Sequence, residues 1–280
     1  MMTVFLVVVI AIGFVFAEAY DSTTILVIFI IIALVMNFFS YWYSDKVILK
    51  MYKAEPVSAQ SNPMLWNTVE NLAITAGLPM PKVYIIPDRA PNAFATGRNK
   101  DHAAVVVTAG LLGMLTQTEL EGVIAHELSH VGNRDILIST IVVVLVGFVA
   151  LMSHFFIRMA MFGGMGGGNR RGNGGVGAIF FLIGIVFAIF SPIAVTLIQL
   201  AISRKREYLA DASGALLTRY PEGLASALEK IGSYSGQMQH ASNATAHLFI
   251  SNPFGSKRVA SLFSTHPAIE DRIRILREME

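Results

Sequence analysis

The stretch TELEGVIAHELSHVGNRDILISTIVVVLVGFVALMSHFFI, residues 118–157, joins a charged helical pattern to 22 uncharged residues from Ile136 to Ile157. Thr118-Glu119-Leu120-Glu121 fits a capping box in which Glu121 reaches back to the cap. Leu120, Val123, Ile124 and Leu128 then recur at helical spacing, which places His126-Glu127-Leu128-Ser129-His130 inside a helix. Residues four apart share a helical face, so both imidazoles of this H-E-x-x-H sequence can bind one Zn2+. Glu127 is rotated off that face and can act on the water instead. The chain has no cysteine, so a thiolate metal site, a thiol nucleophile and a disulfide framework are all excluded.

Working outward, the 280 residues are 54% apolar and only 14% charged, with a mean hydropathy of +0.58. Soluble domains carry about 25% charge. Residues 1–44 hold two charged side chains and 136–202 hold three, against 17 in 45–135 and 18 in 203–280. Two apolar blocks thus alternate with two polar ones, and a soluble globular chain is excluded. A net charge of +2 argues against nucleic acid as a partner. Met1–Ala17, Ser22–Ser44, Ile136–Ile157 and Val176–Ile202 read as four transmembrane helices in two hairpins. A cleaved signal peptide competes for the first, since Ala17-Glu18-Ala19 has the A-x-A form; no Lys or Arg precedes Lys46 to supply the basic leader. Gly163–Gly177 reads as a flexible linker within the second hairpin.

Basic residues set the orientation. Lys46, Lys50, Lys53, Arg134, Arg204, Lys205 and Arg206 flank one side, and Arg158, Arg170 and Arg171 the other. The excess puts both polar blocks in the cytoplasm. In the first polar block, residues 62–76 read as a helix, 81–87 as a strand, and 92–97 with 103–108 as a hairpin turning at 98–101. Only five residues separate His130 from Ile136, so the metal helix is expected to run almost directly into the third span.

Zinc needs a third protein ligand and an open position. The metzincin pattern fails, because Asn133 and Ile136 stand where glycine and histidine belong. Glu207-Tyr208-Leu209-Ala210-Asp211 follows the fourth span, and its two acids share a helical face. One can bind metal while the other holds a ligand histidine's N–H. His247 is a candidate to plug the open position in a resting enzyme, while His102, His154 and His240 read as unliganded.

These features in order resemble the HtpX-like membrane zinc metalloproteases, of the family that includes the CAAX prenyl protease. The resemblance rests on Asn92-Ala93-Phe94-Ala95-Thr96-Gly97, on H-E-L-S-H, on S-R-K-R-E-Y-L-A-D and on Thr265-His266-Pro267 with Arg272 six residues after the histidine. It implies a mainly α membrane protein with an α+β cytoplasmic gluzincin-type zinc protease domain carrying a small β-sheet. It implies one Zn2+ per chain on His126, His130 and Glu207, Glu127 as catalytic base and Asp211 as support. Asn92 is implied to hold the substrate backbone, and His266 to steady the oxyanion with Arg272 near the substrate. Implied partners are membrane-protein and unfolded polypeptide substrates and the lipid bilayer. The expected function is membrane-protein quality control at the cytoplasmic face of a prokaryotic inner membrane. The domain reading is a hairpin at 1–44, catalytic parts at 45–135 and 203–280, and a second hairpin at 136–202. A site-2-type intramembrane protease and a non-enzymatic zinc-binding scaffold are the alternatives. Against the first, Glu119, Glu121, Arg134 and Asp135 flank the motif; against a transport path, His154 and tyrosines are the only ionisable groups within the spans.

Overall fold

A computed structural model describes residues 2–19, 21–145, 147–148, 158, 185–186, 204–242, 245–254 and 267–279. The described chain is mainly helical around one four-stranded mixed sheet. Helices α1 (Met2–Ala19) and α2 (Thr23–Met51) pack on each other, with Phe16 stacked on Phe29 at 6.1 Å. Their outward side chains include Val15, Val35 and Phe38, each 58–62% exposed. A continuous apolar surface of this kind suits lipid rather than water. Helix α2 continues through Met51 rather than stopping at Ser44, so it carries Lys46 and Lys50 past the apolar run.

Among the described residues, α2 is the one helix long and apolar enough by itself to cross a membrane; Phe5–Glu18 of α1 is apolar but shorter. The expected fourth span lies outside the described residues apart from Ile185 and Val186, and so does all of the Gly163–Gly177 stretch.

The polar sequence builds β1 (Glu55–Pro56), α3 (Pro63–Thr75), β2 (Lys82–Ile86), β3 (Ala93–Gly97), β4 (Ala103–Thr108) and α4 (Ala109–Met114). Helices α5 (Gln117–Gly132) and α6 (Asp135–Leu145) follow, then α7 (Arg204–Thr218), α8 (Pro221–Ser233) and α9 (Ile269–Arg277). Sheet order is β1-β2-β4-β3, with β2 parallel to β4 and the other two pairs antiparallel. Helix α3 starts as its sequence dictates: Asn62 Oδ1 accepts from Leu65 N, and Pro63 occupies the first turn, where its missing N–H is harmless. Leu65, Val69, Val105, Leu120, Ile124, Leu128 and Leu228 fill the core between sheet and helices. A second cluster joins Ile48 and Tyr52 to Phe94, Val143 and Phe249, tying the end of α2 to β3 and α6.

Two expectations need correction. The capping box of α5 is Thr116 with Glu119, not Thr118 with Glu121. Both threonines precede a glutamate by three positions, so the local pattern is degenerate. Glu119 is chosen because its buried carboxylate also accepts from Ser226 Oγ at 2.6 Å and Lys230 Nζ at 2.7 Å on α8, whereas Glu121 accepts from Gln117 Nε2 at 3.1 Å within its own helix. The second correction concerns the exit from α5. The helix ends at Gly132, Arg134 adopts a left-handed φ of 62°, and α6 leaves at 84° to α5. The metal helix and the following apolar helix are therefore separate arms of a corner.

Burial would raise the Glu119 carboxyl, but hydrogen bonds from Lys230, Ser226 and Thr116 outweigh it and hold the group at about 2. Its folded pKa lies below the unfolded one. The stabilisation, on the order of 1–3 kcal/mol, is therefore present above pH 4.5 and lost as pH falls toward 2. Unfolding followed in detergent from pH 6 to pH 3 should show E119Q less stable at pH 6, with the gap to the native chain narrowing on acidification. A gap of constant size would remove Glu119 from this role.

Candidate metal centre

The site forms where α5 crosses α7. On α7, Glu207, Asp211 and Gly214 stand at i, i+4 and i+7 and so share one face. A side chain at Gly214 would place its Cβ 3.0 Å from the His126 nitrogen. Glycine there lets the two backbones approach until the acids of α7 reach the histidines of α5. Gly122 does the same one turn earlier, where a Cβ would lie 2.6 Å from Leu224 N on α8.

His126 and His130 bring their Nε2 atoms to 3.2 Å of each other. Glu207 offers Oε1 at 3.6 Å from His130 Nε2 and Oε2 at 4.0 Å from His126 Nε2. These three side chains form the one cluster among the described residues able to hold a metal ion. On the far side of each ring sits a carboxylate. His126 Nδ1 lies 2.9 Å from Asp211 Oδ1, and His130 Nδ1 lies 3.1 Å from Asp135 Oδ2. A carboxylate accepts and cannot donate, so each Nδ1 carries the hydrogen and each Nε2 turns its lone pair inward.

Charge counting gives an independent test of the metal. Glu127, Asp135, Glu207 and Asp211 are all buried here, while Arg206 and Arg272 supply the nearby positive charges. Among the described residues, and with neutral imidazoles, these four carboxylates face two guanidiniums, a negative surplus that one divalent cation would balance. Without it, protons are drawn in. Burial opposes a charged His130, but the Asp135 hydrogen bond and the Glu207 and Glu127 carboxylates lift it to about 9. Burial pushes the Glu127 carboxyl above its ordinary range, against the pull of His126 and His130. Asp211 goes the other way: burial is outweighed by Arg272 and His126, which hold it at about 2. Two nitrogens, one carboxylate and this missing charge fit a divalent ion of the zinc type.

Glu127 lies under the edge of the sheet. The β3 residues Ala93, Ala95 and Gly97 turn their backbone groups away from β4: Ala93 O accepts from Ile250 N at 3.0 Å, and Gly97 N donates to Thr140 Oγ1 at 3.3 Å. Between them the Ala95 backbone hydrogen-bonds Glu127. A cleft opens over these groups, lined by Ala95, His126, Glu127, His130 and Glu207 and bordered by residues 247–250.

Arg272, expected near the substrate, is 0% exposed. Its guanidinium forks onto Asp211 at 2.7 and 2.8 Å and donates to Ile250 O at 3.2 Å. Asn92, expected at the substrate backbone, is buried and spends its amide on the chain itself. Nδ2 donates to Ser251 O at 3.1 Å, and Oδ1 accepts from Ala93 N at 3.1 Å and Ser251 N at 3.3 Å. His247 lines the cleft but directs Nε2 to Ser139 O at 3.2 Å rather than to the metal cluster. His102 meets Asn99 on the surface, and His240 is exposed. His266 and His154 lie outside the described residues. Asp135 is the partner that sequence reading missed. Its only signal is position five after His130, a spacing that shares no helical face.

A sequence model of Peptidase family M48 matches residues 59–280. A Protease HtpX homolog of Campylobacter curvus is 50% identical over 282 aligned residues, covering 99% of this chain and 96% of that one. Those of Desulfatibacillum aliphaticivorans and Syntrophobacter fumaroxidans are 53% and 52% identical, covering 87% and 89% of this chain and 77% and 88% of theirs. The crystal structure of S. mikatae Ste24p shares the fold, with a TM-score of 0.54 at 19% identity, over 96% of this chain and 62% of that one. Given such a match across most of its length and a metal cluster where the motifs meet, the chain belongs to peptidase family M48 and is a metallopeptidase.

Proposed function

We propose that the chain is a zinc-dependent membrane endopeptidase that cleaves damaged or unfolded membrane proteins at the cytoplasmic face of a prokaryotic inner membrane. The observation that carries this is the convergence of His126, His130 and Glu207 beside Glu127, beneath the edge of β3 and close to the end of an apolar hairpin. His126, His130 and Glu207 would hold one Zn2+, which when bound supplies Lewis-acid polarisation of a carbonyl and acidifies water. Glu127 takes a proton from the attacking water and returns it to the leaving amine. Asp211 and Arg272 orient His126 from behind, and His266 is proposed to donate to the oxyanion.

Substrate is proposed to lie as an added strand along β3, where backbone contacts read little side-chain identity. Along that edge the Ala95 backbone meets Glu127 and Ala93 O is engaged by Ile250 N, so a substrate strand would take these positions by displacing residues 249–251. Four spans, in hairpins at 1–44 and 136–202, would leave the catalytic parts 45–135 and 203–280 on one side of the bilayer. That sidedness follows from chemistry as much as from charge, because His126, His130 and Glu207 must meet at one ion.

Glu127→Gln should keep zinc stoichiometry while lowering cleavage of an unfolded protein substrate by at least about 10²-fold, since an amide cannot accept the proton. Metal analysis beside the cleavage assay decides it; an active E127Q enzyme would remove Glu127 as the base. Glu207→Ala should lose the metal, and Asp211→Ala should weaken it about 10–100-fold. Chelator competition measures both, and full zinc retention by E207A would exclude Glu207 as a ligand. Cysteines introduced at the exposed Ser58 and Ser235 should resist a membrane-impermeant thiol reagent in intact cells and react after lysis. Labelling of both from outside would reverse the orientation, and labelling of only one would break the shared site.

A further inference from the structure

Helix α5 ends two residues after His130, and the left-handed Arg134 swings the chain so that Asp135 begins α6. The corner folds the Asp135 carboxylate back toward the helix just left. Oδ2 meets His130 Nδ1 at 3.1 Å, and Oδ1 accepts from Arg206. Neither oxygen is turned toward the metal cluster, which contains His126, His130 and Glu207 but not Asp135. Arg206 sits in the first turn of α7, directly before Glu207. The apolar block 136–202 separates these partners in sequence, so the ion pair fastens its two ends together at the metal centre.

We infer that Asp135 is the positioning residue for His130, and that the Asp135–Arg206 pair is the latch that sets the α5 histidines in register with Glu207 on α7. This rests on the metal reading above. The physical case is that neutral imidazole has two tautomers and a freely turning ring. A carboxylate on Nδ1 selects the form with Nε2 available and fixes the ring plane. A guanidinium on the other oxygen keeps that carboxylate charged and oriented through a charge-assisted hydrogen bond. As the first residue of α6, Asp135 also has the sign favoured by a helix N-terminus. His126 has a matching arrangement in Asp211 and Arg272, built on α7 and α9. The difference lies in exposure: the Arg272 side chain is fully buried, whereas that of Arg206 is 44% exposed. The His130 latch is thus the one within reach of solvent.

The test uses the full-length protein in detergent, with zinc affinity from chelator competition and the visible spectrum of the cobalt-substituted form. Asp135→Asn, which preserves shape, should bind zinc about 10–100-fold more weakly and shift the cobalt bands, with KM for an unfolded protein substrate unchanged at saturating zinc. Arg206→Gln should weaken zinc in the same direction by less, and Arg206→Lys should recover most of the loss. Because the two act as one unit, D135N/R206Q should bind no worse than D135N alone. Native zinc affinity in D135N, or losses that multiply in the double variant, would overturn the latch. So would a cobalt spectrum of D135N showing one ligand fewer, which would make Asp135 a ligand. If D135N does not fold, equal zinc affinity in R206Q and the native protein overturns the latch by itself. Absence of zinc binding by the native chain is a separate result that removes the metal reading and the latch with it.

Discussion

Everything at the metal centre depends on how closely α5 and α7 can approach. Imidazole and carboxylate side chains are short, so helices held at the usual 8–10 Å spacing bring them together only when a small residue lies at the crossing. Gly214 against the His126 backbone provides that crossing, with Glu207 and Asp211 on the same face of α7. From this contact follow the 3.2 Å separation of the two Nε2 atoms and the placement of one acid in front of the rings and one behind. Gly122 against α8 keeps the third helix equally near, so the metal helix is gripped from two directions by backbone rather than by long side chains.

That geometry concentrates charge in a place that would not otherwise tolerate it. A buried carboxylate is stable only when paired, and removing its partner is more damaging than never having had the pair. Arg272 therefore matters more than an exposed arginine would. It arrives from the C-terminal helix and joins Asp211, behind His126, to the Ile250 carbonyl near the edge of β3. Metal ligand, cleft wall and C-terminus are thereby coupled through one guanidinium. The negative surplus left over is what makes the site receptive to a divalent ion and what lifts His130, while burial raises Glu127.

Much of this was legible in the sequence where the information is local. H-E-x-x-H and E-x-x-x-D are each statements about one helical face, and the four-residue spacing carried through to the cluster of His126, His130 and Glu207. The helix at 63–75, the strand at 82–86 and the hairpin of β3 and β4 were readable for the same reason. The cap of α5 slipped by two residues because Thr116 and Thr118 carry the same local signal, and only Ser226 and Lys230, more than a hundred positions later, distinguish them. Asp135 was invisible as a histidine partner because it works across a corner, and a left-handed arginine gives little warning of one. Resemblance locates Arg272 and Asn92 near the site without saying which partners each one meets. Those partners, Asp211 and Ile250 for Arg272 and Ser251 for Asn92, are distant in sequence, so no local pattern names them.

The same long-range packing joins the apolar hairpin to the chemistry. Tyr52, just past the end of α2, packs its ring 5.2 Å from Phe249 and 6.2 Å from Phe94, and those two rings lie 5.1 Å apart. Phe94 belongs to the strand whose edge bounds the cleft, and Phe249 to the segment that borders it. At the other end of that strand, the guanidinium of Arg98 sits 4.4 Å from the ring of Trp42 on α2. Two aromatic contacts from one apolar helix thus brace both ends of β3. The end of α2 is thereby fixed against the strand that borders the metal centre, so the apolar helix and the cleft are held as one packed unit.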